Sequence, residues 1–169
     1  LNEVLPVTWS KNNPVDIIGD ADPERYKKAL DICLDDECID GVLVILTPQA
    51  MTNPSEVARH VVDLATASGN TMMAVAALSN LAGAAVGRGQ LRRAHLAYEE
   101  ALRLATDKYG RRLPVAVRAL MGLGELKREA NQLDASAACL AEALELCERY
   151  GELGTVVVLV TLARIRLTQ

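Results

Sequence analysis

The chain has 169 residues, of which 50% are apolar and 3% aromatic, and it contains no phenylalanine. Its formal net charge of −4 is divided unevenly: residues 1–66 contain 5 Lys and Arg against 12 Asp and Glu, and residues 67–169 contain 13 against 10. Neither part is basic enough to predict nucleic acid as a partner. The sequence shows no signal peptide and no apolar run long enough to span a membrane, so we expect a cytoplasmic protein.

Cysteine and histidine, which often act as catalytic residues or metal ligands, are few in this chain and are scattered along it. The chain contains the cysteines Cys33, Cys38, Cys139 and Cys147 and the histidines His60 and His95. These residues include no CxxC pair, and no histidine lies close to a cysteine in the sequence, so we predict reduced thiols and no metal site. We find no nucleophile–base pair, P-loop or dinucleotide fingerprint. The sequence therefore predicts no catalytic residue and no cofactor.

The N-terminal part alternates strand-like and helix-like segments. Residues 15–18 predict a short strand, and Asp22 before Pro23 predicts a helix that begins with an aspartate N-cap. Residues 41–46 are a continuous apolar run rich in β-branched residues, which is typical of a buried parallel strand. Asn53 predicts the N-cap of a second helix. We therefore predict a two-stranded parallel βαβα unit with a right-handed crossover.

From residue 71 the apolar period becomes helical, and the sequence repeats itself at an offset of 42 residues. The segment Ala77-Leu78 aligns with Ala119-Leu120, and Glu100-Ala101-Leu102 aligns with Glu142-Ala143-Leu144. Helices are predicted at 71–87, 91–108, 114–130, 133–149 and 153–167. The β-branched run 156–160 is also compatible with a strand, but the register of the repeat favours a helix there. This pattern predicts an antiparallel helix array.

The first copy of the repeat resembles a tetratricopeptide repeat, and the second copy is looser. The resemblance implies packing roles in the first copy for Leu78, Leu81, Ala82, Gly89, Ala94, Tyr98 and Ala101. In the second copy it implies them for Leu120, Leu123, Gly124, Leu140 and Ala143. Asn131 stands where the first copy has its turn glycine. The family implies a surface that holds a peptide or a small ligand.

The long helices and the segments LAGAAVGRGQLRRAHLAYEEALRLA and LVTLARIRLTQ resemble the superhelical domain of LuxR-type ATP-dependent regulators. The resemblance covers residues 67–169. It implies a domain that binds an inducer or a regulatory partner. Residues matching the nucleotide-binding domain and the helix-turn-helix of those regulators are not found, so transcriptional control is not implied.

Residues 13–26 and 42–52 resemble ADP-forming acyl-CoA synthetases, and the resemblance covers residues 1–64. It implies half of a flavodoxin-like domain of the succinyl-CoA-synthetase type. In that family a phosphohistidine loop is received at helix N-termini. By position, a phosphate cradle would consist of Thr47, Gln49, Ala50, Met51, Thr52 and Asn53. His60 does not match the catalytic histidine of the family.

Residues 59–66 both continue the second N-terminal helix and align with 99–106, so we predict one helix shared by both parts. The fold class is thus α/β plus all-α, with a βαβα fragment at 1–66 and helical repeats at 67–169. A sheet of two strands leaves open edges, which predicts a homodimer that pairs them. The favoured function is a non-catalytic scaffold in a natural or engineered chimera. The alternative is a remnant module of an acyl-CoA ligase that binds phosphate, nucleotide or coenzyme A.

Two further clusters each allow two interpretations. Asp16, Asp20, Asp22 and Glu24 allow a metal or acid–base cluster, although a turn followed by an N-cap is the simpler interpretation. The arginines Arg88, Arg92, Arg93, Arg111 and Arg112 allow an anion-binding patch, although a solvated face is the simpler interpretation.

Overall fold

The computed structural model describes residues 1–46, 53–151, 159–160 and 162–163. Within these residues the regular structure is helical. The helices are α1 (Pro23–Leu34), α2 (Pro54–Ala67), α3 (Thr71–Gly87), α4 (Leu91–Leu104), a short 3₁₀ turn (Pro114–Ala116), α5 (Val117–Glu129) and α6 (Leu133–Tyr150). The chain divides into two compact units, Leu1–Val61 and Val62–Gln169, and the division falls inside α2. The predicted boundary between 66 and 67 stays a prediction.

The predicted βαβα unit is wrong, because the described residues contain no strand. In the first predicted strand, residues 15–18, the Asp16 carboxylate accepts the N–H of Ile18, and Ile18 has a φ of +70°. A β-branched residue in this left-handed region ends an extended segment. In the second, residues 41–46, Leu43 is 84% exposed and Ile45 is 70% exposed. An apolar run forms a buried strand only where a neighbouring strand pairs with its backbone, and residues 41–46 have no such neighbour among the described residues.

The first helix of the N-terminal unit forms as predicted. The Asp22 side chain accepts the N–H of Arg25 at 2.8 Å, and Pro23 occupies the first helical position. The apolar face of α1 buries Ala29, Leu30 and Cys33. The N-cap prediction for this helix is therefore confirmed.

The helical array is built from two helix pairs, α3 with α4 and α5 with α6. The predicted helix 71–87 is confirmed by α3, and the helix at 133–149 is confirmed by α6, which ends one residue later, at Tyr150. The helix predicted at 114–130 begins instead as the 3₁₀ turn Pro114–Ala116, and the α-helix α5 starts at Val117 and ends at Glu129. The helix predicted at 91–108 ends earlier, at Leu104, where a polar loop begins. The helix predicted at 153–167 lies largely outside the described residues. The largest fully buried side chains in the core of the array are Leu78, Leu120 and Leu140.

The turns inside the two helix pairs have the same backbone geometry. Gly89 has a φ of +70° and Asn131, which is 42 residues later, has a φ of +58°. After each of them comes a glutamine whose N–H returns to a carbonyl of the preceding helix, Gln90 to Ala85 and Gln132 to Lys127. This is the Schellman arrangement, in which a left-handed residue ends one helix and aims the chain into the next. Asparagine tolerates this conformation better than most residues, which explains why it replaces glycine in the second copy.

Candidate binding face of the helical array

The first helices of the two pairs, α3 and α5, present a continuous face on which a polar contact joins them. An N–H of the Arg118 guanidinium on α5 donates to the side-chain oxygen of Asn80 on α3 at 3.0 Å. Both side chains are exposed. One helical turn further along α3, Gly83 is exposed, and one turn along α5, Gly122 is half-buried. We call Asn80, Gly83, Arg118 and Gly122, with the Tyr98 hydroxyl that reaches them, the α3–α5 face.

Tyr98 on α4 inserts its ring between α3 and α5. A Cβ placed on Gly122 would lie 2.1 Å from the ring carbon Cζ, so only glycine fits beneath the ring. The hydroxyl end lies near Gly83, where a Cβ would be 4.0 Å from the oxygen. The ring is buried, with 8% of the residue exposed. Burial raises the pKa of Tyr98, and the positive charge of Arg118 opposes that rise. Tyr98 therefore fills the space between the repeats and brings its hydroxyl to the α3–α5 face.

In the second repeat, close packing takes a different form. The Ser136 hydroxyl on α6 donates to the carbonyl of Gly124 on α5 at 2.6 Å, and Ser136 is fully buried. A Cβ on Gly124 would lie 2.8 Å from Cγ of Leu140. Serine thus replaces the alanine expected at this position and binds a helix carbonyl instead of leaving its hydroxyl without a partner. The helices α5 and α6 approach closely here because Gly124 has no side chain and Ser136 has a small one.

The loop between α4 and α5 is held by one arginine. The Arg112 guanidinium forms an ion pair with Glu142 on α6 at 2.9 Å, donates to the carbonyl of Leu102 at 3.2 Å and contacts the Thr106 hydroxyl. Asp107 accepts the backbone N–H groups of Tyr109 and Arg111. These contacts show why α4 ends before residue 108, since the polar side chains bind this loop instead of continuing the helix.

The packing residues predicted from the repeat lie in or beside the core of the array. Buried are Leu78, Ala82, Ala94, Tyr98, Ala101, Leu120, Leu123, Gly124, Leu140 and Ala143. Leu81 is half-buried against this cluster, and Gly89 forms the turn. The sequence reasoning missed Asn80, Arg118 and Gly122, which form the α3–α5 face. Glycines within predicted helices, where glycine is unfavourable, were the available signal for a close approach.

The predicted phosphate cradle falls almost entirely outside the described residues, which exclude Thr47, Gln49, Ala50, Met51 and Thr52. Its last member, Asn53, accepts the N–H of Ser55 with its side chain at 3.2 Å. The cradle stays a prediction.

The acidic cluster near the first helix consists of residues with local partners. Asp20 forms an ion pair with Arg25 at 2.6 Å, Asp22 caps α1, and Asp16 accepts the N–H of Ile18. Among the described residues, no group of three or more histidine, cysteine, aspartate or glutamate side chains is placed to hold a metal ion. These contacts fit the turn-and-cap interpretation of the cluster.

The arginines of the second proposed cluster do not act as one group. Arg111 forms an ion pair with Asp107 at 2.9 Å, and Arg112 is paired with Glu142. Arg88 and Arg92 are exposed beside the turn between α3 and α4, where Arg93 donates to the Gln90 side chain. His95 lies on α4, 3.5 Å from Glu99 one turn later. No helix in the described part of the chain is long and apolar enough to cross a membrane.

Paired antiparallel helices, left-handed turns 42 residues apart and small residues at the helix contacts define a tetratricopeptide-like helical-repeat protein. A comparison with known families agrees: the MalT-like TPR region family matches residues 46–169. The chain belongs to this family. The match begins before the predicted boundary and includes the whole of α2.

The chain is also similar to two curated ligases over short stretches. It is 47% identical over 62 residues to an acetate–CoA ligase (ADP-forming) I of Archaeoglobus fulgidus, covering 37% of this chain and 9% of the ligase. It is 35% identical over 74 residues to a 4-hydroxybutyrate–CoA ligase (ADP-forming) of Nitrosopumilus maritimus, covering 44% of this chain and 11% of the ligase. The chain therefore spans about a tenth of the length of these relatives. No solved structure matches the chain significantly.

Proposed function

We propose that this chain is a non-catalytic binding module whose helical array holds a peptide or a small ligand on the α3–α5 face. The observation that carries the proposal is the composition of that face. Asn80 and Arg118 lie exposed on it, although the inward sides of α3 and α5 are closed by a tightly packed core. Exposed polar groups held in fixed positions on a rigid helical scaffold are what a binding surface requires.

The glycine on this face supports the same function. Gly83 has no atom nearer than 4.0 Å to the position of its missing Cβ, so the helix backbone is open to an approaching ligand. Glycine inside a helix costs about 0.5–1 kcal/mol relative to alanine. Close approach of a ligand gives a physical reason for glycine at this position.

The proposal is tested by blocking the face. A peptide array with acidic, basic and neutral members is probed with the full chain, with Gly83→Trp and with Leu96→Trp. Leu96 is exposed on α4, so the second variant adds the same side chain away from the α3–α5 face. We expect Gly83→Trp to lose binding that Leu96→Trp retains. Equal binding by the two variants, or no binding by the unmodified chain, contradicts the proposal.

The similarity to ADP-forming ligases supports a second candidate, a remnant module that binds phosphate, a nucleotide or coenzyme A at residues 47–53. A ligand that binds the folded state raises the melting temperature by mass action. The test is a thermal-shift panel with phosphate, ADP, ATP and coenzyme A. A shift that is lost when residues 47–52 are replaced by a glycine–serine segment supports this candidate, and no shift with any of the four excludes it.

We also propose that the chain is a chimera, since one portion resembles acyl-CoA ligases and another belongs to a helical-repeat family. The homodimer expected from open sheet edges loses that basis, because the described residues contain no strand. Light scattering of the purified chain measures the oligomeric state directly.

A further inference from the structure

Lys127 on α5 and Cys139 on α6 form a direct contact across the second helix pair. The side-chain nitrogen Nζ of Lys127 donates to the sulfur Sγ of Cys139 at 3.1 Å, and both residues are half-buried. Cys139 also packs against the apolar core of the array, which holds its sulfur in place. The contact therefore fixes a primary amine beside a thiol, while part of each residue stays open to solvent.

The partner of Lys127 is a thiol, although a carboxylate is the ordinary partner of a lysine. No acid stands three or four residues before or after Lys127, where it could pair along the helix. Glu125 on α5 is ion-paired with Arg128 at 2.8 Å. Glu142 on α6 is ion-paired with Arg112 at 2.9 Å. Within the described part of the chain, no carboxylate lies within ion-pair distance of Lys127, so its contact with the sulfur has no competitor there.

We propose that Lys127 and Cys139 are a modification site at which hydrogen peroxide produces a covalent bond between Nζ and Sγ, a sulfenamide crosslink. The inference is independent of the ligand-binding function proposed above. Cysteine sulfur that peroxide has oxidised to a sulfenic acid condenses with a neighbouring nitrogen or with a second thiol. The lysine is the neighbour that the fold supplies to Cys139.

The crosslink forms in two steps, in which sulfur is oxidised and peroxide is reduced. The Cys139 thiolate attacks one peroxide oxygen, the O–O bond breaks, and the products are the sulfenic acid and hydroxide. The hydroxide removes a proton from the Lys127 ammonium and becomes water. The nitrogen electron pair then attacks the sulfur, the S–O bond breaks, and the hydroxyl leaves as water with a second proton from the nitrogen. One peroxide is consumed, and one S–N bond and two waters are formed.

Geometry favours the lysine over a second thiol as the group that attacks the sulfur. The distance of 3.1 Å lies within the range of about 3–3.5 Å from which a held nucleophile attacks efficiently. Cys147 lies eight residues further along the same helix, which is about 12 Å at the helical rise. Cys33 and Cys38 belong to the other compact unit. The fold therefore directs the oxidised sulfur of Cys139 to Lys127.

The bond would join the last part of α5 to α6 across the turn at Asn131. A crosslink that closes a loop stabilises the folded state by restricting the unfolded chain. Excess thiol reverses it: two thiols reduce the S–N bond to the original amine and thiol and leave as a disulfide. The site would thus stiffen the second helix pair under oxidising conditions and release it afterwards.

The test is peptide mapping of the full chain after treatment with hydrogen peroxide. Free thiols are blocked with N-ethylmaleimide, and the chain is digested with trypsin, which does not cut after a substituted lysine. We expect fragments 119–128 and 129–149 to stay joined, with a mass about 2 Da below the sum of the two because condensation removes two hydrogens. Tandem mass spectrometry locates the linked atoms at Lys127 and Cys139, and dithiothreitol should separate the fragments.

Three variants and a denatured control locate the reaction. Lys127→Arg keeps the positive charge and removes the primary amine, and Cys139→Ser removes the sulfur, so both should lose the joined pair. Cys38→Ser removes an exposed thiol elsewhere in the chain and is the matched control, which should keep it. In concentrated urea the yield should fall at least about tenfold, because the fixed contact is lost. Circular dichroism verifies that the variants remain folded.

The melting temperature gives a second measurement. Oxidation should raise it by at least about 2 °C in the unmodified chain and not in Lys127→Arg. Equal yields from the folded and the denatured chain, or a joined pair that survives in Lys127→Arg, overturn the site. A joined pair about 14 Da heavier than the unlinked sum, with an oxygen between nitrogen and sulfur, overturns the direct bond. Oxidation of Cys139 to sulfinic acid or to disulfides alone overturns the proposal.

Discussion

The two units of the chain use apolar residues in opposite ways. In Val62–Gln169, leucines recur at helical spacing, and Leu78, Leu120 and Leu140 are completely or almost completely buried. In Leu1–Val61, the most apolar segment, residues 41–46, leaves Leu43 84% exposed. Hydrophobicity alone therefore does not form a core. Each helix pair of the array supplies its own partner surface at short range, whereas a parallel strand depends on a partner strand elsewhere in the chain.

The largest expected effect comes from truncating one leucine in each unit. Leu120→Ala removes a side chain that is 1% exposed, and we expect it to lower the free energy of unfolding by about 2–5 kcal/mol. Leu43→Ala changes a side chain that is already in solvent, and we expect a change within about 0.5 kcal/mol. Urea denaturation followed by circular dichroism measures both. A similar loss in the two variants would show that residues 41–46 are packed in solution and would break the comparison.

The next effect concerns glycines inside the helices of the array. Gly124→Ala places a Cβ 2.8 Å from Leu140 Cγ, and we expect a destabilisation of about 1–3 kcal/mol from overpacking. Gly87→Ala has no atom within 4 Å of its Cβ, and we expect it to stabilise the array by up to about 1 kcal/mol through helix propensity. Opposite signs in thermal melts would establish close packing at α5–α6. The same sign for both variants would contradict it.

Helix caps allow a like-for-like test between the units. The side chain of Asp22 caps α1, and that of Asn70 caps α3 in the same way, by accepting the N–H of Met73 at 3.1 Å. Alanine at either position is expected to cost about 1 kcal/mol. Hydrogen exchange measured by mass spectrometry should show faster exchange in α1 for Asp22→Ala and in α3 for Asn70→Ala. Faster exchange throughout the chain in either variant would show that the units unfold together.

The smallest effect is a pH dependence in the α4–α5 loop. The backbone N–H of Arg111 is the main group that holds the pKa of Asp107 below its ordinary value of 3.8, with partial burial acting in the opposite direction. Since the folded pKa is the lower one, the ionised carboxylate stabilises the fold above about pH 4, and this contribution is lost as the pH falls further. Asp107→Asn should lower the melting temperature at about pH 7 and have less effect at about pH 3. An effect that is independent of pH would contradict this assignment.

The array could be predicted from the sequence because its signal is local. The 42-residue repeat gave the start of α3 at Thr71, of α4 at Leu91 and of α6 at Leu133. The end of α4 could not be predicted in this way, since it depends on the contact of Arg112 with Glu142, which lies 30 residues away in the sequence. The predicted strands failed for the related reason that a strand is defined by a distant partner.

The α3–α5 face was also beyond the sequence reasoning. Asn80 and Arg118 lie 38 residues apart, which is not the 42-residue offset, so comparing the two copies does not bring them together. Tyr98 was assigned only a packing role, because a motif describes what a ring fills and does not show where its hydroxyl ends. The structure adds that position by placing the ring on Gly122 and the oxygen beside Gly83.

The turns at Gly89 and Asn131 have the same backbone geometry, so the segment 91–132 is preceded and ended by equivalent backbone conformations. We call this segment the cassette. The residue before the cassette, Gln90, has φ and ψ of −85° and 57°, and the last residue of the cassette, Gln132, has −93° and 64°. A second copy inserted after Gln132 would thus enter and leave through backbone joints that the chain already contains. Tandem duplication of these 42 codons is a route by which such an array lengthens in evolution, and the same cut points allow a designer to extend it one helix pair at a time.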